Sequence, residues 1–254
     1  MKISLSVVII TFNEERNIGR CIDSVRDIAD DIVVIDSFSK DRTKEICLEK
    51  GVRFVEHAFE GHIQQKNFAI TQAAYPHVLS IDADEAPDEI LRESIRKVKE
   101  NFEADGYSMN RLTNYCGHWV RHCGWYPDRK LRLWDSRKGQ WTGLNPHDRY
   151  EMEQGSVIRH LPGDLLHYSY YTREDHLKQI QKFTNILAKS MFDAGRRTSW
   201  TVIIAATVFK FIRDYILKLG ILDGKAGFTI SWLSAGASFK KYRKLLLLQK
   251  NKSK

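Results

Sequence analysis

The stretch "VLSIDADEAPDEI", residues 78–90, is apolar through most of its first four positions and then turns abruptly acidic. Val78, Leu79 and Ile81 have the character of a buried strand, and Asp82, Asp84, Glu85, Asp88 and Glu89 follow at once. One reading is a strand that ends and runs into a capped helix. The other is a pair of carboxylates, Asp82 and Asp84, set at a strand end to meet a divalent cation. Aspartates one residue apart on a strand point to opposite faces, but where the chain turns both can approach one ligand. A lone D-x-D is common by chance, so its position in the fold carries the weight.

That position follows from the segments on either side. "LSVVIITF" (5–12) is a continuous β-branched apolar run, and Ile18, Cys21, Ile22 and Val25 after it have helical spacing. "DIVVIDS" (31–37) repeats the strand pattern, and "SKDRTKEICLEKG" (39–51) reads as a helix that Gly51 stops. "RFVEH" (53–57) and "HIQQKNFAITQAA" (62–74) make a third pair. "HVLSIDAD" (77–84) is the fourth strand, and "PDEILRESIRKVKENF" (87–102) opens with proline and acids as a helix start does. Fully apolar strands alternating with amphipathic helices predict an α/β fold, a mostly parallel Rossmann-like sheet covered on both faces. Ligands of such sheets bind beyond the carboxyl ends of the strands. Thr11, Asn13, Asp36, Asp82 and Asp84 therefore surround one crevice. After Gly106 short strands are expected in "GYSMNRL", "RKLRLW" and "GQWTG", and from Thr172 onward the chain reads as helix. The expected division is a catalytic domain over 1–171 and a basic, aromatic helical region over 172–254.

Bulk properties agree with a globular chain: 254 residues, 43% hydrophobic and 11% aromatic. Four cysteines without framework spacing read as reduced thiols of the cytosol. The N-terminal "MKISLSVVIITFNEER" runs into charged residues instead of a small-residue cleavage site, and is read as the first strand and not a signal peptide. Net charge is +8, and basic residues dominate from Lys178 onward. Such a half suits anionic partners, but no groove-reading motif accompanies it, so nucleic acid is not expected.

Asp36 ends the second strand and leads into the turn formers Ser37, Ser39 and Asp41. It is either a strand-to-helix turn or an acid for a base or ribose donor. No G-x-G-x-x-G follows the first strand. Lys66 reads as part of a solvated helix face or as a contact to a base or phosphate. Arg129 and Arg132 read as a solvated strand face, with Arg132 alternatively forking onto a diphosphate. Trp125 and Tyr126 suit sugar stacking or core packing. "CGHWVRHC" (116–123) holds Cys116, His118, His122 and Cys123, a spacing too compact to close a zinc tetrahedron easily.

The set "VVIITFNEERNI" (7–18), "VVIDSFSKDRT" (33–43), "QQKNFA" (64–69) and "LSIDADE" (79–85) resembles the nucleotide-sugar half of a GT-A fold, family 2 glycosyltransferase. The likeness continues through "GWYPDRKLRLW" (124–134), "HDR" (147–149) and "LLHYSY" (165–170) to "LKLGILDGKAGF" (217–228), in the manner of the lipopolysaccharide-core glucosyltransferase branch. Each motif is weak, but their order and spacing are specific and cover nearly the whole chain. The resemblance implies inverting transfer of a hexose, glucose, from a donor such as UDP-glucose, with Mg²⁺ or Mn²⁺ as cofactor. It assigns Asp36 to the base, Asp82 to the ribose side, Asp84 to the metal, Thr11 and Phe12 to backbone contacts, and Glu14 to an acid near the base. A lone histidine beside aromatics, such as His167, reads as a core or loop residue, or as the late histidine that can complete the metal shell in such folds. Asp148 in "LNPHDRYE" (144–151) matches the acid after histidine, the catalytic base, the other reading being a loop with a proline turn at 145–146. The nearest relatives are expected to carry glutamate there, so the shorter Asp148 is a departure in reach.

"TSWTVIIAATVFKFIRDYILKLGILDG" (198–224) and "FTISWLSAGASFKKYRKLLLL" (228–248) are apolar, aromatic and flanked by lysine and arginine, with no uncharged run long enough to span a bilayer. They suit helices in an anionic membrane interface, or an ordinary packed subdomain or dimer contact. The expectation is an enzyme on the cytoplasmic face of the cell membrane acting on a lipid-linked glycan. Its rivals are a nucleotidyltransferase, which would want a glycine-rich loop after the first strand, and a membrane-bound scaffold with a dead nucleotide site.

Overall fold

The computed structural model describes residues 1–144 and 147–252. They fold as two compact units, one of residues 1–111 and 128–168, the other of residues 112–127 and 169–252.

In the first unit strand and helix alternate as the periodicity predicts: β1 (Leu5–Thr11), α1 (Ile18–Val25), β2 (Asp31–Asp36), α2 (Thr43–Glu49), β3 (Arg53–Glu56), α3 (His62–Thr71), β4 (His77–Asp82), β5 (Glu85–Pro87) and α4 (Glu89–Glu100). β6 (Gly106–Tyr115) carries the chain into the second unit, where β7 (His118–Trp119) pairs with its far end. β8 (Asp128–Asp135), the hairpin β9 (Gly139–Leu144) and β10 (His147–Met152), and β11 (Ile158–Tyr170) follow. The sheet order is β3-β2-β1-β4-β8-β6-β11-β5. β3, β2, β1 and β4 are parallel, whereas β8 joins β4 antiparallel and β6 joins β8 antiparallel. Of the strands expected after Gly106, those in β6 and β8 extend the parallel half-sheet, whereas β9 pairs with β10 in a separate two-stranded sheet. The proline turn expected at 145–146 lies outside the described residues.

The unbroken apolar run of β1 is explained by its two covered faces. Leu5, Val7 and Ile9 pack with Ile18 and Ile22 of α1 and Leu91 and Ile95 of α4. Val8 faces the other way, with Val33, Ile35, Val78 and Ala69 of α3. Burying each such side chain contributes roughly 1.5–3 kcal/mol, an upper estimate because unfolded chains already bury some surface. α4 starts where its sequence says it should: the Asp88 carboxylate accepts from Leu91 N–H at 2.7 Å. Gly163 lets β11 pass over that start. Its φ is +97°, and a Cβ there would fall 2.2 Å from Leu91 N.

The second unit contains α5 (Arg173–Asp193), α6 (Trp200–Ile212), a π-helical turn (Arg213–Leu217), a 3-10 turn (Gly220–Asp223) and α7 (Gly224–Lys252). α5 opens with a capping box between Thr172 and Asp175. A small core of Tyr115, Val120, Cys123 and Ile230 gathers Trp125 and Tyr170 around it, so the Trp125 ring serves packing. No helix among the described residues is long and apolar enough to cross a membrane.

Candidate active site

The carboxyl ends of β1, β2 and β4 lie side by side, with Thr11 level with Asp36 and Ile10 level with Asp82. The two loops that follow β1 and β2 are stitched together. Asn13, at φ +55°, donates its N–H to Ser39 Oγ at 2.7 Å and accepts from Lys40 N–H at 2.8 Å. Glu14 N–H donates to Thr43 Oγ1 at 2.8 Å. Asp36 is buried and accepts from both the N–H and the hydroxyl of Ser39, so its carboxylate shapes this turn as well as facing the crevice end of the strand. Phe12 is more than half exposed at the rim. Thr11 Oγ1 is buried without a hydrogen-bond partner among the described residues, and Asp82 Oδ1 on the neighbouring strand makes no hydrogen bond and has the Lys66 ammonium at 3.5 Å. Buried polar atoms left unsatisfied are rare and point to a missing ligand or water.

Asp82 and Asp84 have different surroundings. Asp82 ends β4 against cations: Arg132 Nη2 lies 3.2 Å from Oδ2, and Lys66 Nζ lies 3.5 Å from Oδ1. Burial would raise this carboxyl, but Lys66, Arg132 and Arg111 outweigh it and hold the group well below the usual range. Asp84 lies beyond the strand, where His167 of β11 places Nε2 3.1 Å from its Oδ2. Burial alone would lower the His167 imidazole; the Asp84 carboxylate overrides it and the net shift is upward. Glu14 is coupled to the same pair. Burial lifts it to about 7, against the hydrogen bond from Asn17 and with the charge of Asp84 adding to the rise.

This division bears on metal binding. Asp82 is already neutralised by two cations and is a poor ligand for a third. Asp84 and His167 supply a carboxylate oxygen and an imidazole nitrogen at one point, a donor set that suits Mg²⁺, Mn²⁺ or a related divalent ion. No cluster of three His, Cys, Asp or Glu side chains surrounds a single point among the described residues. The pair therefore fits a cation whose other positions go to substrate and water, as Mg²⁺ sites commonly do.

Lys66 and Arg132 are both buried, which excludes solvated faces for either. Lys66 Nζ donates to Asp148 Oδ2 at 2.8 Å and stands 4.4 Å from the Trp141 ring centre. The short Asp148 side chain thus reaches the end of β4 through Lys66. Arg132 Nη2 donates to Glu85 Oε1 at 2.7 Å as well as to Asp82. Arg132 Nη2 is held by these two acids and orients Asp82, while its Nε is buried without a hydrogen-bond partner among the described residues.

Glu85 is the residue that the sequence reading passed over. It is fully buried, accepts Asp82 N–H at 3.0 Å through Oε2, and meets Arg132 and Arg111 through Oε1. Arg111 in turn pairs with Asp128 at 2.8 Å. The only local signal was its place in the acidic run, which looked like helix-start charge. In the second unit, His118 and His122 share Asp223 instead of joining Cys116 and Cys123 around a metal.

A parallel half-sheet with carboxylates, cations and orphaned oxygens at its carboxyl ends has the layout of an α/β enzyme whose ligand sits beyond the strands. The family model for glycosyl transferase family 2 matches residues 6–155, and the chain belongs to that family. It is a glycosyltransferase, and its class draws on nucleotide sugars. The chain is similar to the lipopolysaccharide core biosynthesis glycosyltransferase LpsC of Rhizobium meliloti, at 27% identity over 95% of this chain and 94% of the relative. An uncharacterized glycosyltransferase of Rickettsia bellii is 28% identical over 95% of this chain and 85% of its own. A dolichyl-phosphate hexose transferase of Haloferax volcanii is 32% identical over 43% of this chain and 48% of its own. Among solved structures, S. aureus TarS 1-349 aligns over 98% of this chain and 92% of its own at 14% identity and TM-score 0.47. Glucosyl-3-phosphoglycerate synthase of Mycobacterium tuberculosis aligns over 44% of each chain at 22% identity and TM-score 0.38.

Proposed function

We propose that the chain is an inverting, cation-dependent hexosyltransferase that moves glucose from UDP-glucose to a lipid-linked glycan of the lipopolysaccharide-core type, at the cytoplasmic face of the cell membrane. The observation that carries the reading is the separation of two acidic roles at one strand end: Asp84 beside His167, and Asp82 beside Lys66 and Asp148. The acceptor class is supported by the relatives, since both lipopolysaccharide core and dolichyl phosphate are lipid-anchored.

Asp36 and the loop 11–14 bind the base, Asp82 and the orphaned Thr11 hydroxyl meet the ribose side, and Asp84 with His167 holds the cation. When bound, that cation neutralises charge developing on the departing diphosphate. Asp148 accepts the proton of the acceptor hydroxyl as its oxygen bonds to the anomeric carbon, and the breaking bond's electron pair leaves with the diphosphate. Lys66 holds Asp148 in place and offers its ammonium to an incoming phosphate oxygen.

The test is a thermal-shift panel of nucleotide sugars with and without Mn²⁺, followed by transfer of labelled glucose to lipooligosaccharide-bearing vesicles. A Mn²⁺-dependent rise with UDP-glucose, together with label in the lipid fraction, is expected. No rise with any nucleotide sugar would defeat the donor assignment. A rise without lipid labelling would defeat the acceptor.

A further inference from the structure

Between Ala194 and Lys254 the sequence has 13 Lys and Arg and only two acids, Asp214 and Asp223. The structure turns both acids inward, at 1% and 6% exposure. Asp214 is neutralised by Lys210 and Arg213 at 2.8 and 2.9 Å. Asp223 accepts from His122 N–H at 2.8 Å and lies 3.2 Å from ring nitrogens of His118 and His122. Every exposed formal charge of this described segment is therefore basic.

The apolar residues behave in the opposite way. Ile216, Leu217, Leu219, Ile221 and Leu222 lie within seven residues, and each is more than half exposed, Leu222 at 64%. Trp200, Ile204, Val208 and Ile212 continue from them as an i, i+4 ridge of exposed side chains along α6. Leu219 has φ +54°, a left-handed conformation rare for a branched apolar residue. The chain accepts that strain in the turn that leaves the leucine outside. Soluble surfaces rarely leave so continuous an apolar patch open to water. Lys218 and Lys225 are exposed among these residues.

We propose that the segment 200–225 is an interfacial docking face for an anionic lipid bilayer. The Leu217–Leu222 turn enters the boundary between head groups and acyl chains, and Lys218 and Lys225 meet lipid phosphates. A second copy of the chain fits less well, because a two-fold contact would bring the lysines of both copies into one interface to which this segment contributes no exposed acid. The proposal deepens the reading of a lipid-linked acceptor, yet it requires no donor, so vesicle binding tests it apart from transfer.

The experiment is co-sedimentation of the full chain with phosphatidylglycerol-containing and with pure phosphatidylcholine vesicles, over a salt series. Binding to the anionic vesicles is expected, falling as salt rises. Lys218→Gln with Lys225→Gln should weaken it about twenty-five-fold, taking roughly fivefold per lysine near the surface. Leu217→Ser with Leu222→Ser should remove the salt-resistant remainder. Circular dichroism and the UDP-dependent thermal shift should stay unchanged in both variants, since the altered side chains are exposed. A parent protein that stays in the supernatant would overturn the proposal, as would equal, salt-independent binding to neutral vesicles. Self-association in sedimentation velocity that Leu217→Ser with Leu222→Ser abolishes would assign the face to a second copy instead.

Discussion

Lys66 Nζ donates to Asp148 Oδ2 at 2.8 Å while lying 3.5 Å from Asp82 Oδ1, so one lysine of α3 ties the β9–β10 hairpin to the end of β4. The proposed base is thereby held next to the proposed ribose carboxylate by a shared cation. Asp148→Asn keeps the shape and loses the proton acceptor. Transfer should fall about 10²–10⁴-fold, the usual worth of general-base catalysis, with the UDP thermal shift preserved. Near-normal transfer would move the base elsewhere.

Asp84 and His167 form the only acid–imidazole pair among the described residues of this crevice. Asp84→Ala should abolish the Mn²⁺-dependent part of the UDP thermal shift. His167→Ala should weaken it and leave the Mn²⁺-independent part in place. Metal-dependent stabilisation that persists in Asp84→Ala would show the cation anchored by other groups.

Glu14 gives a pH signature with a definite sign. Its folded-state value is raised from 4.5 to about 7, chiefly by burial. The native state therefore binds more protons than the unfolded chain between those values, and stability falls as pH rises through that window. Glu14→Gln removes this dependence. The variant's melting temperature should gain on the parent's from pH 4.5 to about 7 and run parallel above it. Equal pH profiles for the two proteins would mean that Glu14 ionises normally in the fold.

Glu85 is buried between Arg132 and Arg111 and receives Asp82 N–H. Glu85→Gln leaves those arginines short of a counter-charge, and breaking a buried pair on one side typically costs about 3–5 kcal/mol. Urea unfolding should show a loss of that order, and UDP binding should weaken because Asp82 is released. A loss below about 1 kcal/mol would mean that water takes over the role, as it does for surface pairs.

Much of the first unit was legible because its signals are local. The strand runs at 5–12, 31–37 and 77–84 and the helix stripe at Ile18, Cys21, Ile22 and Val25 depend on repeats of two or 3.6 residues, which neighbours in sequence display. The same locality put Asp36, Asp82 and Asp84 at strand ends. Arg132 and Lys66 were ambiguous for the converse reason. Whether a basic side chain is solvated depends on what other elements bring to it, and the acids that bury these two come from β5, β4 and β10.

By itself, the sequence determined the α/β alternation, the placing of three aspartates beyond a parallel sheet, and the basic, apolar character of the last sixty residues. Only the tertiary structure decided which carboxylates stay free for a ligand. Lys66 and Asp148 are 82 residues apart in the chain, and Asp223 finds His122 across 101. Local propensity sets the direction of a strand or helix, whereas the charge a carboxylate presents is set by every cation packed around it. That sum is taken over space and not along the chain. It separates Asp82 from Asp84 at one strand end, and it leaves the face of α6 and the Leu217–Leu222 turn with exposed basic charge alone.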